Sequence, residues 1–233
     1  MKVALVLVGH IRTLQSNWGH FKKIIDKHSC DVYIETWEKY GFWKDAVDST
    51  TFTSANDKGF DEESDLINEQ KIRKLTNPVY LNIDNFDDYN KFFNDESLKF
   101  EDKKWHFLRP KNLLTQWYKR NKIMNVINES GIEYDKVILT RPDLRISSEI
   151  NLNEDKLQVS SNYSPNGYGD VLFIGTLNQI NDLVDLNNNF ENINSKLEGH
   201  ATLRWWIKEK GISHKTVFQQ LELFNTPGGY CKI

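Results

Sequence analysis

Continuous apolar runs rich in β-branched residues are the feature that most constrains the fold of this chain. The first, "VALVLVG" at residues 3–9, has no polar residue before the glycine that ends it. A strand with one face in water alternates polar and apolar residues, so an uninterrupted run indicates a strand covered on both faces. Similar runs recur in "DVYIETW" (31–37), "PVYLNID" (78–84) and "YDKVILT" (134–140). The sequence therefore predicts a central sheet that is mostly parallel.

Between these runs, apolar residues recur at the spacing of one face of a helix. Strands that alternate with helices are typical of α/β domains. Two later strand candidates, "KLQVSS" (156–161) and "YGDVLFIGT" (168–176), are separated by the turn-rich "NYSPNG" and predict a mixed or antiparallel extension. No linker or internal repeat divides residues 1–233, so a single domain is predicted. Helices are expected at residues 17–28, 61–75, 110–131, 177–190 and 197–211, with a short helix at 85–97.

Charge and composition exclude some classes of protein. The formal net charge of -3 argues against a protein that binds nucleic acid through bulk positive charge. The apolar run at 3–8 is shorter than the about 7–15 residues of a signal peptide, and no run approaches the about 20 apolar residues of a membrane span. The two cysteines, Cys30 and Cys231, are expected to be free thiols. We therefore expect a soluble, cytoplasmic protein of a reducing compartment.

Ligands of α/β sheets bind at the carboxyl ends of the strands, which directs attention to the loops there. After the first strand, Gly9 would let a ligand approach the backbone and Arg12 would offer a planar fork for phosphate. The alternative is a strand-ending glycine beside a surface arginine. Neither a G-x-G-x-x-G fingerprint nor a Walker A motif occurs, which disfavours NAD binding and P-loop hydrolysis. After the second strand, Trp37 could stack on a base or sugar, or pack in the core.

The segment "RPDLR" at 141–145 follows the fourth strand. Pro142 favours an extended Arg141, so the strand is predicted to continue up to Asp143. In an extended chain Arg141, Asp143 and Arg145 alternate and therefore share one face. Such a face suits a diphosphate, and its carboxylate suits a divalent cation. The alternative is an ion-pair network at a strand end.

Two further residues are candidates for catalysis. Asp170 stands just ahead of an apolar strand, where a carboxylate could act as a base or bind an acceptor; the alternative is a turn aspartate that begins the strand. His200 stands at the start of a helix, where it could hold a metal or move a proton. Its alternative is a capping or structural histidine.

Together, the segments "ALVLVGHIRTL", "DVYIETW", "YDKVILTRPDLRI" and "GDVLFIG" resemble those of small GT-A-type glycosyltransferases. These enzymes are found in bacterial surface-polysaccharide clusters and in large algal viruses that glycosylate their own capsid protein. The resemblance spans residue 3 to about residue 208. It implies a single GT-A-like (Rossmann-like) α/β domain with a mixed, mostly parallel central sheet flanked by helices. The nucleotide-binding half would be about 1–145 and the acceptor half about 146–233.

The resemblance also implies an activity. The enzyme would move a hexose or deoxyhexose from a nucleotide-diphosphate sugar, with a UDP-sugar favoured, to a hydroxyl of a glycan or glycoprotein acceptor; a viral enzyme would act in the host cytoplasm. Gly9 and Arg12 would contact the nucleotide, and Trp37 would belong to the same donor site. Gln116 and Arg120, on the helix before the fourth strand, would line the donor pocket.

In this family the segment after the fourth strand holds the D-x-D motif, which binds the donor diphosphate through Mn²⁺ or Mg²⁺. Asp143 would be the metal or diphosphate residue, flanked by the donor-binding Arg141 and Arg145. Asp170 would lie near the acceptor or the reacting sugar carbon, and His200 at the far side of the cleft.

This chain departs from D-x-D because it has one carboxylate where the motif has two. Either Asp143 shares a metal ion with Asp170 or His200, or Arg141 and Arg145 neutralise the diphosphate without metal. Metal assistance is the favoured expectation. Two other functions remain open. One is a sugar-phosphate nucleotidyltransferase, which would have a glycine-rich basic loop after the first strand; "GHIRTL" in this chain is poor in glycine. The other is a non-catalytic α/β interaction module.

Overall fold

The computed structural model describes residues 1–11, 13–38, 66–85, 88–89, 92, 110–146, 149–161, 168–193, 199–217, 221–226 and 229–232. Its strands are β1 (Val3–Val8), β2 (Asp31–Trp37), β3 (Tyr80–Asp84), β4 (Lys136–Thr140), β5 (Leu144–Ile146), β6 (Leu157–Ser161), β7 (Tyr168–Gly175), β8 (His214–Val217), β9 (Leu221–Thr226) and β10 (Gly229–Lys232). Its helices are α1 (Leu14–His28), α2 (Glu69–Thr76), α3 (Pro110–Glu129), α4 (Leu177–Val184) and α5 (Gly199–Glu209), with a 3₁₀ helix at Asp185–Asn192.

The strands form a seven-stranded sheet in the order β3-β2-β1-β4-β7-β6-β8 and a three-stranded sheet in the order β10-β9-β5. In the larger sheet β1 pairs in parallel with β2 and β4, β2 with β3, and β6 with β8. Strand β7 runs antiparallel to its neighbours β4 and β6. The prediction of an α/β domain with a mixed, mostly parallel sheet is confirmed.

The sheet is covered on both faces, as the uninterrupted apolar runs predict. Along β1, Ala4, Val6 and Val8 belong to one core, which includes buried residues of α3, α4 and α5. Val3 and Leu5 belong to a second core on the opposite face, which includes residues of α1 and β5. Because side chains alternate along a strand, a run that is apolar at every position supplies both cores at once.

Helix α3 lies across the first face and begins at Pro110, as predicted from the fixed φ of proline. Trp117, Ile123 and Met124 are fully buried in the core of that face. The chain leaves the helix through Gly131, whose φ of +67° lies in the left-handed region. Glycine adopts that region without steric cost, and the helix ends at Glu129, two residues before the expected limit of 131.

The chain after β4 corrects one prediction. The strand ends at Thr140, and the backbone N–H of Leu144 donates to the carbonyl of Arg141 at 3.2 Å, which closes a turn. The prediction that the strand continues to Asp143 and places three charged side chains on one face of an extended chain is therefore wrong. After this turn the chain enters the small sheet, where β5 pairs with β9.

Two expectations from the sequence concern membrane spans and the state of the cysteines. Among the described helices, none has the length and apolar composition that crossing a bilayer requires. Cys30 is a free, buried thiol whose pKa is raised to about 12, chiefly by burial. The side chain of Cys231 lies outside the described part of the chain.

Candidate functional site

The order of the strands defines where a ligand would bind. The chain passes from β1 through α1 to β2 on one side, whereas β4 lies on the other side of β1. Such a reversal opens a crevice at the carboxyl ends of the two strands, where ligands of open α/β sheets bind. Gly9 follows β1 at this edge. Its φ of +119° is a backbone conformation that residues with a side chain rarely adopt. Arg12 lies outside the described residues.

The turn after β4 holds an arginine and an aspartate in direct contact. The Nε of Arg141 donates to Oδ1 of Asp143 at 2.9 Å, and its Nη2 donates to Oδ2 at 2.7 Å. Asp143 is almost completely buried, whereas the side chain of Arg141 keeps 28% of its exposure. Burial alone would lower the pKa of Arg141, but Asp143 raises it. The carboxylate therefore holds a permanently charged guanidinium at the mouth of the crevice.

The start of β7 reaches the same edge because β7 is antiparallel, with Leu172 opposite Thr140. Helix α3 contacts it through two side chains one turn apart. The Nη2 of Arg120 and the Nε2 of Gln116 both donate to the main-chain carbonyl of Asp170, the latter at 3.4 Å. Residues four apart lie on one face of a helix, so the pair acts on one point of the strand.

Asp170 itself sits among positive groups. Burial would raise its pKa, but His200, Arg120 and Arg141, together with a hydrogen bond from Gln116, outweigh burial and lower it. The carboxylate is therefore ionised at neutral pH. Its lowered basicity favours a role in holding or stabilising positive charge over one in accepting a proton.

Arg120 is more deeply buried than Arg141, with 2% of its surface exposed. Its guanidinium lies 4.6 Å from the ring centre of Trp117 and 5.2 Å from that of Phe173. Burial, to which Arg141 adds, lowers the pKa of Arg120 to about 10, so the group stays charged at neutral pH. Its Nη1 is buried and has no hydrogen-bond partner among the described residues.

The structure thus brings six of the predicted residues together at the carboxyl edge of the sheet. We name this group the arginine cluster: Gln116, Arg120, Arg141, Asp143, Asp170 and His200. The sequence predicts each member separately, and the roles assigned to them stay predictions.

Two further predicted residues, Arg145 and Trp37, are not included in the arginine cluster. Arg145 stands in β5, where Leu144 and Ile146 on either side are buried in the second core. Trp37 is 2% exposed, and its ring faces the Nζ of Lys119 at 3.8 Å and the ring of Tyr89 at 5.7 Å. Because protein groups cover this ring, we do not include Trp37 in the proposed site.

A second group of charges at the same edge was not predicted. The Nζ of Lys119, on α3, donates to Oε1 of Glu35 at 2.7 Å, to Oδ2 of Asp84 at 2.7 Å and to the carbonyl of Thr36 at 2.6 Å. Lys119 and Glu35 are 1% and 0% exposed. We name this group the lysine network: Glu35, Asn82, Asp84, Lys119 and Lys122.

Burial governs the electrostatics of the lysine network. It raises the pKa of Glu35, whose Oε2 has no hydrogen-bond partner among the described residues, and lowers the pKa of Lys119. For Asp84, hydrogen bonds from Lys119, Lys122 and Asn82 outweigh burial, and its pKa is lowered. One signal for this network is present in the sequence: Glu35 stands inside an apolar strand, where a carboxylate requires a cationic partner.

The atoms of Asp143 decide how well the cluster suits a divalent metal ion. Both carboxylate oxygens, which Mn²⁺ or Mg²⁺ would need, already accept hydrogen bonds from Arg141. Over the described ranges, no group of three or more His, Cys, Asp or Glu residues is arranged to hold a metal ion. The described residues therefore do not fit a metal centre, and metal assistance stays a prediction.

Comparisons with known proteins add little to this description. No protein-family model matches the sequence, and a search of curated proteins finds no match. Among solved structures, the chain is similar to the CTP:phosphocholine cytidylyltransferase of Streptococcus pneumoniae, with a TM-score of 0.46 and 7% identity over 98% of this chain and 96% of that chain. So low a TM-score and identity carry no argument about activity.

Proposed function

We propose that this protein is a glycosyltransferase of the GT-A type that moves a sugar from a nucleotide-diphosphate donor, with a UDP-sugar favoured, to a hydroxyl of a glycan or glycoprotein. The observation that supports the proposal most directly is the convergence of the arginine cluster at the crevice between β1 and β4. The cluster offers fixed positive charge for a diphosphate and a carboxylate, Asp170, for the reacting sugar or the acceptor.

The proposed roles follow from charge and position. Gly9 leaves room for a nucleotide to approach the end of β1. Arg141 and Arg120 face the negative charge that develops on the leaving diphosphate. Asp170, ionised and poorly basic, stabilises positive charge on the sugar or orients the acceptor. His200 lies close enough to Asp170 to affect the pKa of that carboxylate, and we assign it the transfer of the acceptor's proton.

In the proposed transfer, the bond between the anomeric carbon of the sugar and the diphosphate oxygen breaks. The acceptor oxygen forms the new bond to that carbon, and the acceptor's proton passes to His200. The products are the nucleoside diphosphate and the glycosylated acceptor. Orientation of the two substrates and stabilisation of the diphosphate supply the catalysis.

The test is an incubation with UDP-, GDP- and dTDP-sugars, with and without Mn²⁺, in which nucleoside diphosphate release and thermal shift are measured. We expect at least one donor to raise the melting temperature and to be hydrolysed. Asp170→Asn should lower kcat by roughly 10²-fold, since it removes a charge that acts at the transition state. Arg73→Ala, on the surface of α2, is the control and should keep wild-type kcat.

Two results would contradict the proposal. The first is the absence of both thermal shift and hydrolysis with every donor. The second is pyrophosphate release from a nucleoside triphosphate and a sugar phosphate, which is the reaction of a nucleotidyltransferase.

A further inference from the structure

Arg141 occupies the two atoms of Asp143 that would bind a metal ion. Its fork contacts Oδ1 and Oδ2 at 2.9 and 2.7 Å, and 1% of Asp143 is exposed. A divalent ion at these buried oxygens would have to compete with the guanidinium, and displacing it would leave a charged arginine without its carboxylate. Removing one partner from a buried ion pair is costly because the other charge loses its compensation.

Arg141 retains donors for a ligand. A guanidinium has five N–H donors, and Asp143 accepts from two of its nitrogens. The side chain is partly exposed and close enough to Asp170 and Arg120 to affect the pKa of each. Asp143 therefore orients Arg141 toward the crevice while leaving part of its fork accessible.

Arg120 supplies a second donor that the described residues do not use. Its Nη2 is bound to the carbonyl of Asp170, whereas its buried Nη1 has no hydrogen-bond partner in the described part of the chain. A buried cationic donor left unsatisfied is unfavourable, and so are two guanidinium groups placed near each other. An anion that bridges Arg120 and Arg141 relieves both costs at once.

We propose, on the basis of the glycosyltransferase function proposed above, that Arg120 and Arg141 form a built-in dication that binds the donor diphosphate without a divalent metal ion, and that Asp143 is a positioning residue for Arg141 and not a metal ligand. The ligand class is a diphosphate, free or within a nucleotide. As the bond to the sugar breaks, the negative charge that develops on the diphosphate oxygen is stabilised by the two guanidinium groups, and no proton is transferred to it.

The decisive experiment measures the Kd of the full chain for inorganic pyrophosphate and for UDP by calorimetry, once with EDTA and once with Mn²⁺. We expect both ligands to bind in EDTA, with the Kd for UDP changing less than about threefold when Mn²⁺ replaces EDTA. Arg141→Lys, which keeps the charge but loses the fork, should raise both Kd values about 10- to 100-fold, the effect of one or two charge-assisted hydrogen bonds.

Asp143→Asn separates a positioning role from metal binding. An asparagine has one acceptor oxygen where the aspartate has two, so it cannot accept hydrogen bonds from both Nε and Nη2 of Arg141. The Kd for UDP and pyrophosphate in EDTA should therefore rise about tenfold. Replacing EDTA with Mn²⁺ should change the Kd for UDP of this variant by less than about threefold, as for the wild type. Arg73→Ala should leave every Kd unchanged, and the melting temperature of each variant reports whether it has folded.

Two of three outcomes separate this inference from the function on which it rests. Binding of UDP and pyrophosphate only in the presence of Mn²⁺ overturns the metal-free dication and leaves the glycosyltransferase proposal intact. Binding of pyrophosphate in EDTA without binding of any nucleotide supports the dication and contradicts the proposed function. Failure of both ligands to bind in either condition overturns both. The comparison of EDTA with Mn²⁺ uses the wild-type protein, so it stands even if a variant does not fold.

Discussion

The arginine cluster and the lysine network lie at the same edge of the sheet and share helix α3, yet they place their cations differently. In the lysine network, both lysines contact the carboxylates of Glu35 and Asp84 directly. In the arginine cluster, Arg120 bonds to a main-chain carbonyl and keeps a buried donor without a partner among the described residues.

The lysine network joins elements of the fold through its own contacts, whereas the arginine cluster is the group that we propose as the ligand site. Lys119 joins α3 to the ends of β2 and β3, so its contacts are satisfied within the protein itself. Arg120, the next residue, points to another flank of the same helix and joins it to β7. Two neighbouring residues of the same charge therefore contact different strands, because successive positions on a helix are about 100° apart.

The largest expected effect is on the lysine network. Lys119→Met should lower the free energy of unfolding by about 3–5 kcal/mol, because it removes the buried cation that bonds to Asp84 and leaves the fully buried Glu35 with only the more distant Lys122. Urea denaturation measures this loss. Lys122→Met is the matched control: the Lys122 side chain is 27% exposed, and we expect a loss of about 1 kcal/mol or less. Equal losses for the two variants would contradict the interpretation of Lys119 as the centre of the network.

An intermediate effect is expected from acid. The pKa of Asp84 is lowered in the folded protein from its ordinary value of 3.8. Its contribution to stability is therefore present above that pH and is lost as the pH falls toward the folded-state pKa. The stability gap between wild type and Asp84→Asn should narrow as the pH falls below about 4 in urea titrations. A gap that stays constant from neutral pH to about pH 3 would show that the charge of Asp84 contributes nothing.

The smallest effect is expected at an exposed ion pair whose N···O distance is similar to those of Lys119. Lys22 and Asp26 are 2.9 Å apart and stand four residues apart on α1, with side chains 61% and 60% exposed. Water screens this pair, so Lys22→Ala should change the free energy of unfolding by about 0.5 kcal/mol or less in the same urea assay. A loss comparable with that of Lys119→Met would mean that burial is not what distinguishes the lysine network.

Most of the elements could be predicted because their signals are local. The apolar runs around Val3–Val8 and Lys136–Thr140 form buried strands, and α3 ends two residues before Gly131, its expected limit. The failure after β4 has a local cause too. Pro142 restricts Arg141, but the hydrogen bond from Leu144 to the carbonyl of Arg141 closes a turn that the alternation of charges does not reveal.

The candidate site was predictable in its members but not in its contacts. Strand ends point to Gly9, Arg141 and Asp143, and the start of a strand to Asp170. The lysine network was missed because Lys119 resembles a polar residue beside the apolar stripe of α3. Its burial depends on Glu35, which is 84 residues away in the chain.

The sequence by itself determined the kind of domain, most of the strands and helices of the large sheet, and the loops that carry charge. Hydrophobic periodicity and turn residues act over a few positions, and the chain states them directly. The tertiary structure alone decided which charges meet. The antiparallel placement of β7 beside β4 brings Asp170 to Arg120, 50 residues away, and the turn after β4 aligns Arg141 on Asp143. Those contacts depend on the order of strands in the sheet, which is selected by the packing of the whole core.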